Sequence, residues 1–363
     1  MEGPRAPVDG EWSDLITFLN KSLRSESAWN IDEEYPTALV QSNKHNIRII
    51  KGPGGIISHA VLKPLIVKSP HVIYKVGAIG SVVTDEKHRG QGHSGLILKN
   101  CVELAQEQQC DVAILWTNLY DHYRKFGFEL AGSEVSFVVP PTYEKTGRPL
   151  QFTSNRAVAP DAILRVFNKH SVASVRTIDE VKKYLQIPQT KVYAAWELDG
   201  RLAAYAIMGK GVDLTGYAHE WGGDVEALLS LFSHIVREKN ESCVVIIPGH
   251  SANLIRQMQN DGLLPHNGYL GMMKIVNFDQ LAAKIKRGFR QLGIADFVLE
   301  KNAAGYVFGF PREIFTLQTL PDIQTLLFGP VNYRELGIFS EDSLSKLELL
   351  LPLPLWLWGW DSI

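Results

Sequence analysis

The chain has 363 residues, more than one small domain needs, and at roughly 150 residues per domain it should divide into two or three units. Its composition, 45% hydrophobic, 21% charged and 10% aromatic, excludes wholesale disorder and the fibrous classes. A formal net charge of -2 argues against a nucleic-acid partner held chiefly through phosphate electrostatics, and Cys101, Cys110 and Cys243 are too scattered for a disulfide framework or a zinc site. Buried, reduced thiols and no metal are expected.

The opening residues M-E-G-P-R-A-P lack the basic-then-apolar order of a signal peptide, so a cytoplasmic location is expected. Trp12, Leu15, Ile16, Phe18, Leu19 and Leu23 recur at helical spacing and predict an amphipathic helix over Trp12–Leu23. Three runs rich in valine and isoleucine, Ile47–Ile50, Ile56–Pro64 and Val72–Val83, predict neighbouring antiparallel strands. A helix over Gly95–Gln109, a buried strand Val112–Trp116, a short helix Leu119–Phe126 stopped by Gly127 and a last strand Ser133–Pro140 complete a first unit. Thr142–Asn155 reads as a linker.

A second unit begins near Arg156. It carries helices around Asp161–Asn168 and Ile178–Leu185, strands Lys191–Glu197 and Leu202–Gly209, and the segment H-E-W-G-G at His219–Gly223. A helix Val225–Lys239, a strand Cys243–Ile247, a helix near Asn253–Asn260 and a strand Gly271–Val276 follow, echoing the order of the first unit. From Phe278 two helical stretches enclose strands Phe297–Glu300 and Gly305–Phe310. The chain closes in L-P-L-P-L-W-L-W-G-W-D-S-I, whose apolar stretch is interrupted by prolines and is shorter than the roughly 20 residues that span a bilayer. No transmembrane segment is expected, and the tail should dock.

The chemistry is concentrated in Asp85–Gly95, D-E-K-H-R-G-Q-G-H-S-G, between a strand and a helix. Closely spaced glycines let backbone N–H groups turn toward one point, and a helix N-terminus adds partial positive charge, which suits a pyrophosphate. A plain turn would use glycine too. The loop does not end in G-K-[ST], and its late, antiparallel setting does not suit a dinucleotide fold.

Arg89-Gly90-Gln91-Gly92-His93-Ser94 resembles the coenzyme A motif [Q/R]-x-x-G-x-[G/A] of the GNAT acetyltransferases, with serine at the last small position. Asn118 followed by Tyr123-Arg-Lys-Phe-Gly-Phe128 resembles that family's second motif. The resemblance implies an α/β fold of α+β mixed sheets and an N-acetyltransferase that uses acetyl-coenzyme A. Val82, Val83 and Thr84 would pair with the pantetheine arm, and Arg89, Gly90, Gln91, Gly92, His93, Ser94 and Gly95, with Asn118, would complete the coenzyme site. Tyr123 would be the acid that protonates the departing thiolate, although taken alone it also reads as a packed helix-end aromatic.

The order of units resembles the Eis-type architecture. It implies a catalytic GNAT domain at 1–145, a degenerate second GNAT domain at 150–277 that lacks an arginine-glycine loop, and a small sterol-carrier-like domain at 278–363. In that family the terminal carboxylate reaches the active site, which singles out Ile363; a tail that only packs an interdomain core is the other reading. His219 and Glu220 could line an amine cleft, or form a solvated turn or a structural pair, and Gly223 rules out an H-E-x-x-H zinc motif.

Val76–Thr84 contains no carboxylate to act as base, so the candidates are His122, Glu220 and the Ile363 carboxylate. The expected reaction is direct attack by a primary amine, of a small molecule or a protein, within a ternary complex. A homo-oligomer is compatible with this. The competing classes are a coenzyme A-binding regulatory or scaffold protein without turnover, and a membrane-surface protein using the Leu349–Trp360 tail.

Overall fold

The computed structural model describes residues 1–155 and 157–363, so Arg156, where the second unit is expected to begin, lies outside the described residues. The chain opens with β1 (Glu2–Arg5), α1 (Trp12–Leu23), α2 (Ile31–Glu34), β2 (Ile47–Gly52), β3 (Gly55–Lys68), β4 (Ile73–Thr84), α3 (His93–Glu107), β5 (Val112–Leu115), α4 (Tyr120–Arg124) and β6 (Glu129–Ala131). The helical spacing of α1 places Leu15 and Leu19 one turn apart against Ile47, Ile49, Val61 and Val83 on one face of the sheet. Helix α3 covers the other face, setting Ile97, Leu98, Cys101 and Ala105 against Ile57, Ala60, Leu62 and Ile79. The three cysteines are free and buried, as their spacing suggests, and burial pushes the Cys101 thiol up to about 12.

The chain continues through β7 (Glu134–Val139), β8 (Gln151–Ser154), α5 (Pro160–Phe167), β9 (Ala173–Ser174), α6 (Ile178–Tyr184), β10 (Lys191–Trp196), β11 (Leu202–Lys210) and β12 (Asp213–Gly223). It goes on to α7 (Val225–Lys239), β13 (Cys243–Pro248), α8 (Ala252–Asn260), β14 (Pro265–Gly268) and β15 (Gly271–Ile275). Helix α7 falls where its spacing predicts. Two expectations change: the segment read as a linker contains β8, and H-E-W-G-G lies inside β12.

The sheets exchange strands. The first runs β1-β2-β3-β4-β5-β15-β6, with β9 on β3, and the second runs β14-β7-β13-β12-β11-β10-β8. Strand β7 therefore leaves the unit that precedes it and pairs with β13, Val245 opposite Phe137, while β15 crosses back to pair with β5, Met273 opposite Ile114. The expected divisions 1–145 and 150–277 do not bound the two sheets. The alternation of β7 suits a half-buried strand in either sheet, so periodicity could not assign it. Each sheet keeps one parallel pair, β4 with β5 and β12 with β13, which makes this a mixed α/β architecture of mixed sheets.

A third layer holds α9 (Phe278–Gln291), the antiparallel strands β16 (Val298–Asn302), β17 (Gly305–Phe310) and β18 (Glu313–Leu317), and helices α10 (Leu320–Phe328) and α11 (Glu341–Glu348). It is tied to the exchanged strand by buried Gln324, whose side chain accepts from the Ile275 N–H (3.0 Å) and donates to the Met273 carbonyl (2.7 Å).

The tail then runs between the two sheets. Trp356, Trp358 and Trp360 are buried, Trp358 against Trp221 and Trp360 stacked on Tyr184, so the tail's tryptophans face the interior and not a membrane surface. No helix of the described residues is long and apolar enough to cross a membrane. A buried charge cluster fixes the tail: Arg176 donates to both oxygens of Glu220 (2.6 and 3.0 Å) and lies 2.9 Å from Asp361, which also accepts from Ser174. Lys210 donates to the Gly359 carbonyl (2.9 Å) and to the Ser362 carbonyl.

Removing one member of a buried ion pair leaves its partner charged and unpaired, a penalty that usually exceeds the value of the pair itself. Arg176→Met is therefore expected to lower stability by about 3–5 kcal/mol, read as a reduced midpoint in urea.

Candidate functional site

The site is organised by an irregularity in β4. This strand pairs with β5 only from Val76 to Ala78 and then leaves it. On its other side the register with β3 slips between His59 opposite Val83 and Val61 opposite Gly80, which places one extra residue in β4. Ser81 takes up the slip at φ 50, a conformation that residues with a Cβ rarely adopt. The bulge is held by the His59 Nδ1–H, which donates to the Ser81 carbonyl (2.8 Å). Burial pushes His59 down to about 4, so this ring is neutral.

Consecutive residues at the bulge open on different spaces. Val82, Val83 and Thr84 line a cavity of about 240 Å³ with Arg89, Gly90, Gly92, His93, Ser94, His122 and Tyr123. Gly90 and Gly92 have φ of 77 and 83, and a Cβ at either would meet nothing within 4 Å, so the loop is both dependent on glycine and open to a ligand. Helix α3 starts at Gly92 without a side-chain cap among the described residues and without an acid in its first turn, leaving N–H donors directed at the loop. That arrangement fits the pyrophosphate of a coenzyme. His93 is buried there with both ring nitrogens unpartnered. Tyr123 is buried beside His122, ring centroids 5.1 Å apart, and burial pushes its phenol above the usual value, so it keeps its proton at neutral pH.

Not every expected coenzyme residue joins this cavity. Gln91 and Asn118 are exposed and line neither space; Leu119, next to Asn118, does line it. Gly95 serves packing: a Cβ there would come within 2.9 Å of the Phe126 ring.

On the other side of the bulge Ser81 lines a cavity of about 530 Å³ with Arg24, Tyr35, Trp116, Glu134, Asp213, His219 and Ile363. Asp213 accepts from Tyr35 Oη and from Arg24 (3.1 Å), and Arg24 is also paired with buried Glu34 (2.6 Å). Ile363 lies flat on β4: a Cβ on Gly80 would stand 2.4 Å from its carboxyl carbon, so only glycine admits the chain end. His219 lines the cavity with Nε2 donating to the Gly209 carbonyl (3.0 Å), and burial pushes it down to about 3.

Glu220 is a correction. It is fully buried in the Arg176 cluster and lines neither cavity, so it fixes the tail and is not placed to take a proton from an acceptor. His122 belongs to the cavity of the glycine loop, away from Glu134 and Ile363. Sequence reasoning missed Ser81, Trp116, Glu134 and the Arg24–Tyr35–Asp213 group, whose members are 178 residues apart in the chain at Tyr35 and Asp213.

The second unit has the same strand–helix passage at β12 and α7, with a different end. Asp224 caps α7 by accepting the Ala227 N–H (3.0 Å), and Glu226 occupies the first turn. Two carboxylates thus stand at the start of this helix, which carries no arginine-glycine loop. Among the described residues no group of three His, Cys, Asp or Glu side chains could hold a metal ion.

Residues 4–131 match a family model described as an acetyltransferase (GNAT) domain, and no curated protein matches the chain in sequence. Among solved structures, a GCN5-related N-acetyltransferase from Anabaena variabilis is similar at a TM-score of 0.65 and 15% identity, over 99% of each chain. Eis1 from Mycobacterium abscessus is similar at 0.64 and 11% identity, over 100% of each chain. A GCN5-related N-acetyltransferase from Kribbella flavida is similar at 0.56 and 12%, over 82% of this chain and 75% of that one. At these identities the likeness is one of fold. Residues 4–131 are thus a GNAT acetyltransferase domain, which makes the chain an acyltransferase, built from end to end on a fold that it shares with Eis1.

Proposed function

We propose that the chain transfers an acetyl group from acetyl-coenzyme A to a primary amine, of a small molecule or a protein, by direct attack within a ternary complex. The observation that carries this reading is the bulge of β4, where Ser81 faces one cavity and Val82 the other. A donor and an acceptor bound in the two spaces would meet at one point of one strand.

Acetyl-coenzyme A, when bound, supplies the activated acetyl group. Val82, Val83 and Thr84 offer the strand edge that β4 frees by leaving β5, and Gly90, Gly92, His93, Ser94 and Arg89 surround the uncapped start of α3, where the pyrophosphate would sit. Tyr123 lines the same space and holds its proton at neutral pH, which suits it to protonate the departing sulfur. The Ile363 carboxylate, against Gly80, is the best placed of the three candidate bases to take a proton from the attacking nitrogen.

Release of free thiol from acetyl-coenzyme A, measured across alkylamines, polyamines, aminoglycosides and lysine peptides, tests the reading. Coenzyme binding with no thiol release for any amine would favour a binding protein without turnover. Tyr123→Phe is expected to lower kcat by about 10²-fold while leaving coenzyme A affinity unchanged in calorimetry. Gly80→Ala would push Ile363 off β4 and is expected to lower kcat on the order of 10²-fold, again with coenzyme affinity retained; equal loss of both would show that the substitution disrupts β4 itself.

A further inference from the structure

The acceptor-side cavity contains a carboxylate that acetyl transfer, as described, leaves unused. Glu134 is the first residue of the exchanged strand β7, opposite Pro248 of β13 and Gly268 of β14, and it faces the cavity that also holds Ser81 and Ile363. It is partly exposed and has no hydrogen-bond or ion-pair partner among the described residues.

Proton balance gives this group a task. An alkylamine reaches the site mostly as its ammonium, because a pKa of roughly 10 leaves only about one molecule in 10³ unprotonated at neutral pH. Conversion of R–NH3⁺ and a thioester to an amide and a thiol forms the C–N bond from the nitrogen lone pair and breaks the C–S bond with its pair going to sulfur. Nitrogen sheds two protons and sulfur gains one, so each turnover releases one proton to water. The proton lost during attack is balanced by the one Tyr123 gives to sulfur. The earlier one, which uncovers the lone pair, needs its own acceptor.

We propose that Glu134 takes this first proton from the bound ammonium and passes it to solvent; the proposal rests on the amine-acetylating reading above. The Ile363 carboxylate, which also faces the cavity, takes the proton lost during attack, and the other titratable groups there are committed. Arg24 is paired with Glu34 and Asp213, Tyr35 donates to Asp213, and His219 donates to a backbone carbonyl while burial holds it neutral. Pro248 and Gly268 bring no charge from the flanking strands, and His266, two residues along β14 on the same face of the sheet, is exposed. Burial alone pushes Glu134 up to about 7, which makes it an acceptor matched to neutral solution. Because the ionised form is the active one, turnover of an alkylamine should rise with pH through that value.

The test compares Glu134→Gln with the wild type on two acceptors, an alkylamine and an arylamine that is already a free base at neutral pH. Glu134→Gln is expected to lower kcat/KM for the alkylamine by about 10²-fold at neutral pH, to recover as pH approaches the amine's own pKa, and to leave the arylamine unchanged. Glu134→Asp should restore part of the loss. Equal loss for both acceptors, or loss for neither, overturns the proposal. An unchanged melting temperature for Glu134→Gln shows that a selective loss is chemical. If the wild type acetylates neither amine while binding coenzyme A, the amine-acetylating reading itself fails and the proposal with it.

Discussion

The departure of β4 from β5 after Ala78 is the constraint on which the rest of the site depends. A strand that stayed paired would have both edges occupied and would present nothing to a ligand. With Ser81 inserted at positive φ, β4 has its freed backbone edge toward the glycine loop and Ser81 itself toward the second cavity. The His59 ring that makes the hydrogen bond to Ser81 is fully buried, so the irregularity is held by a donor that has no water to turn to. Gly80 completes the arrangement, because the absence of a side chain there lets the end of the chain lie on the strand.

The two halves of the molecule use one strand–helix passage with opposite charge. In the first, α3 begins at Gly92 with its N–H donors unclaimed by side chains and a cavity in front of them. In the second, Asp224 takes a first-turn N–H of α7 and Arg148 neutralises the local acid cluster. A helix N-terminus attracts one anion, and the second unit already supplies it internally. The same backbone geometry is thus left open to a ligand in one unit and stabilised by a cap in the other.

Strand exchange and the tail make the larger cavity a joint construction. Glu134 enters it on β7, which has crossed into the second sheet; Asp213 and His219 come from β12, Arg24 from the end of α1 and Ile363 from the tail. The Arg176–Glu220–Asp361 cluster fixes that tail by charge, and the tryptophans fix it by burial. A buried ion cluster is a costly way to gain stability, and here its geometric effect is to hold the last residues in one position.

Local chemistry in the sequence was enough for most helices and the longer strands and for the glycine loop, although strands such as Gln151–Ser154 were read as linker. Helices such as Trp12–Leu23 and Val225–Lys239 follow from apolar spacing, and the loop Arg89–Ser94 announces itself because glycine at positive φ and an uncapped helix start are properties of consecutive residues. The partners of β7 and β15 were not legible, since a strand's pattern states which face is buried and not which sheet receives it. Glu220 and Glu134 show the same limit from opposite sides: one was a candidate base and is held by Arg176, the other drew no notice and, in a cavity, has no partner among the described residues. The sequence by itself determined most of the helices and longer strands, the GNAT-like motifs and the glycine loop. Only the tertiary structure decided which carboxylates are paired and which face the larger cavity, because pairing joins residues far apart in the chain, and no local pattern records it.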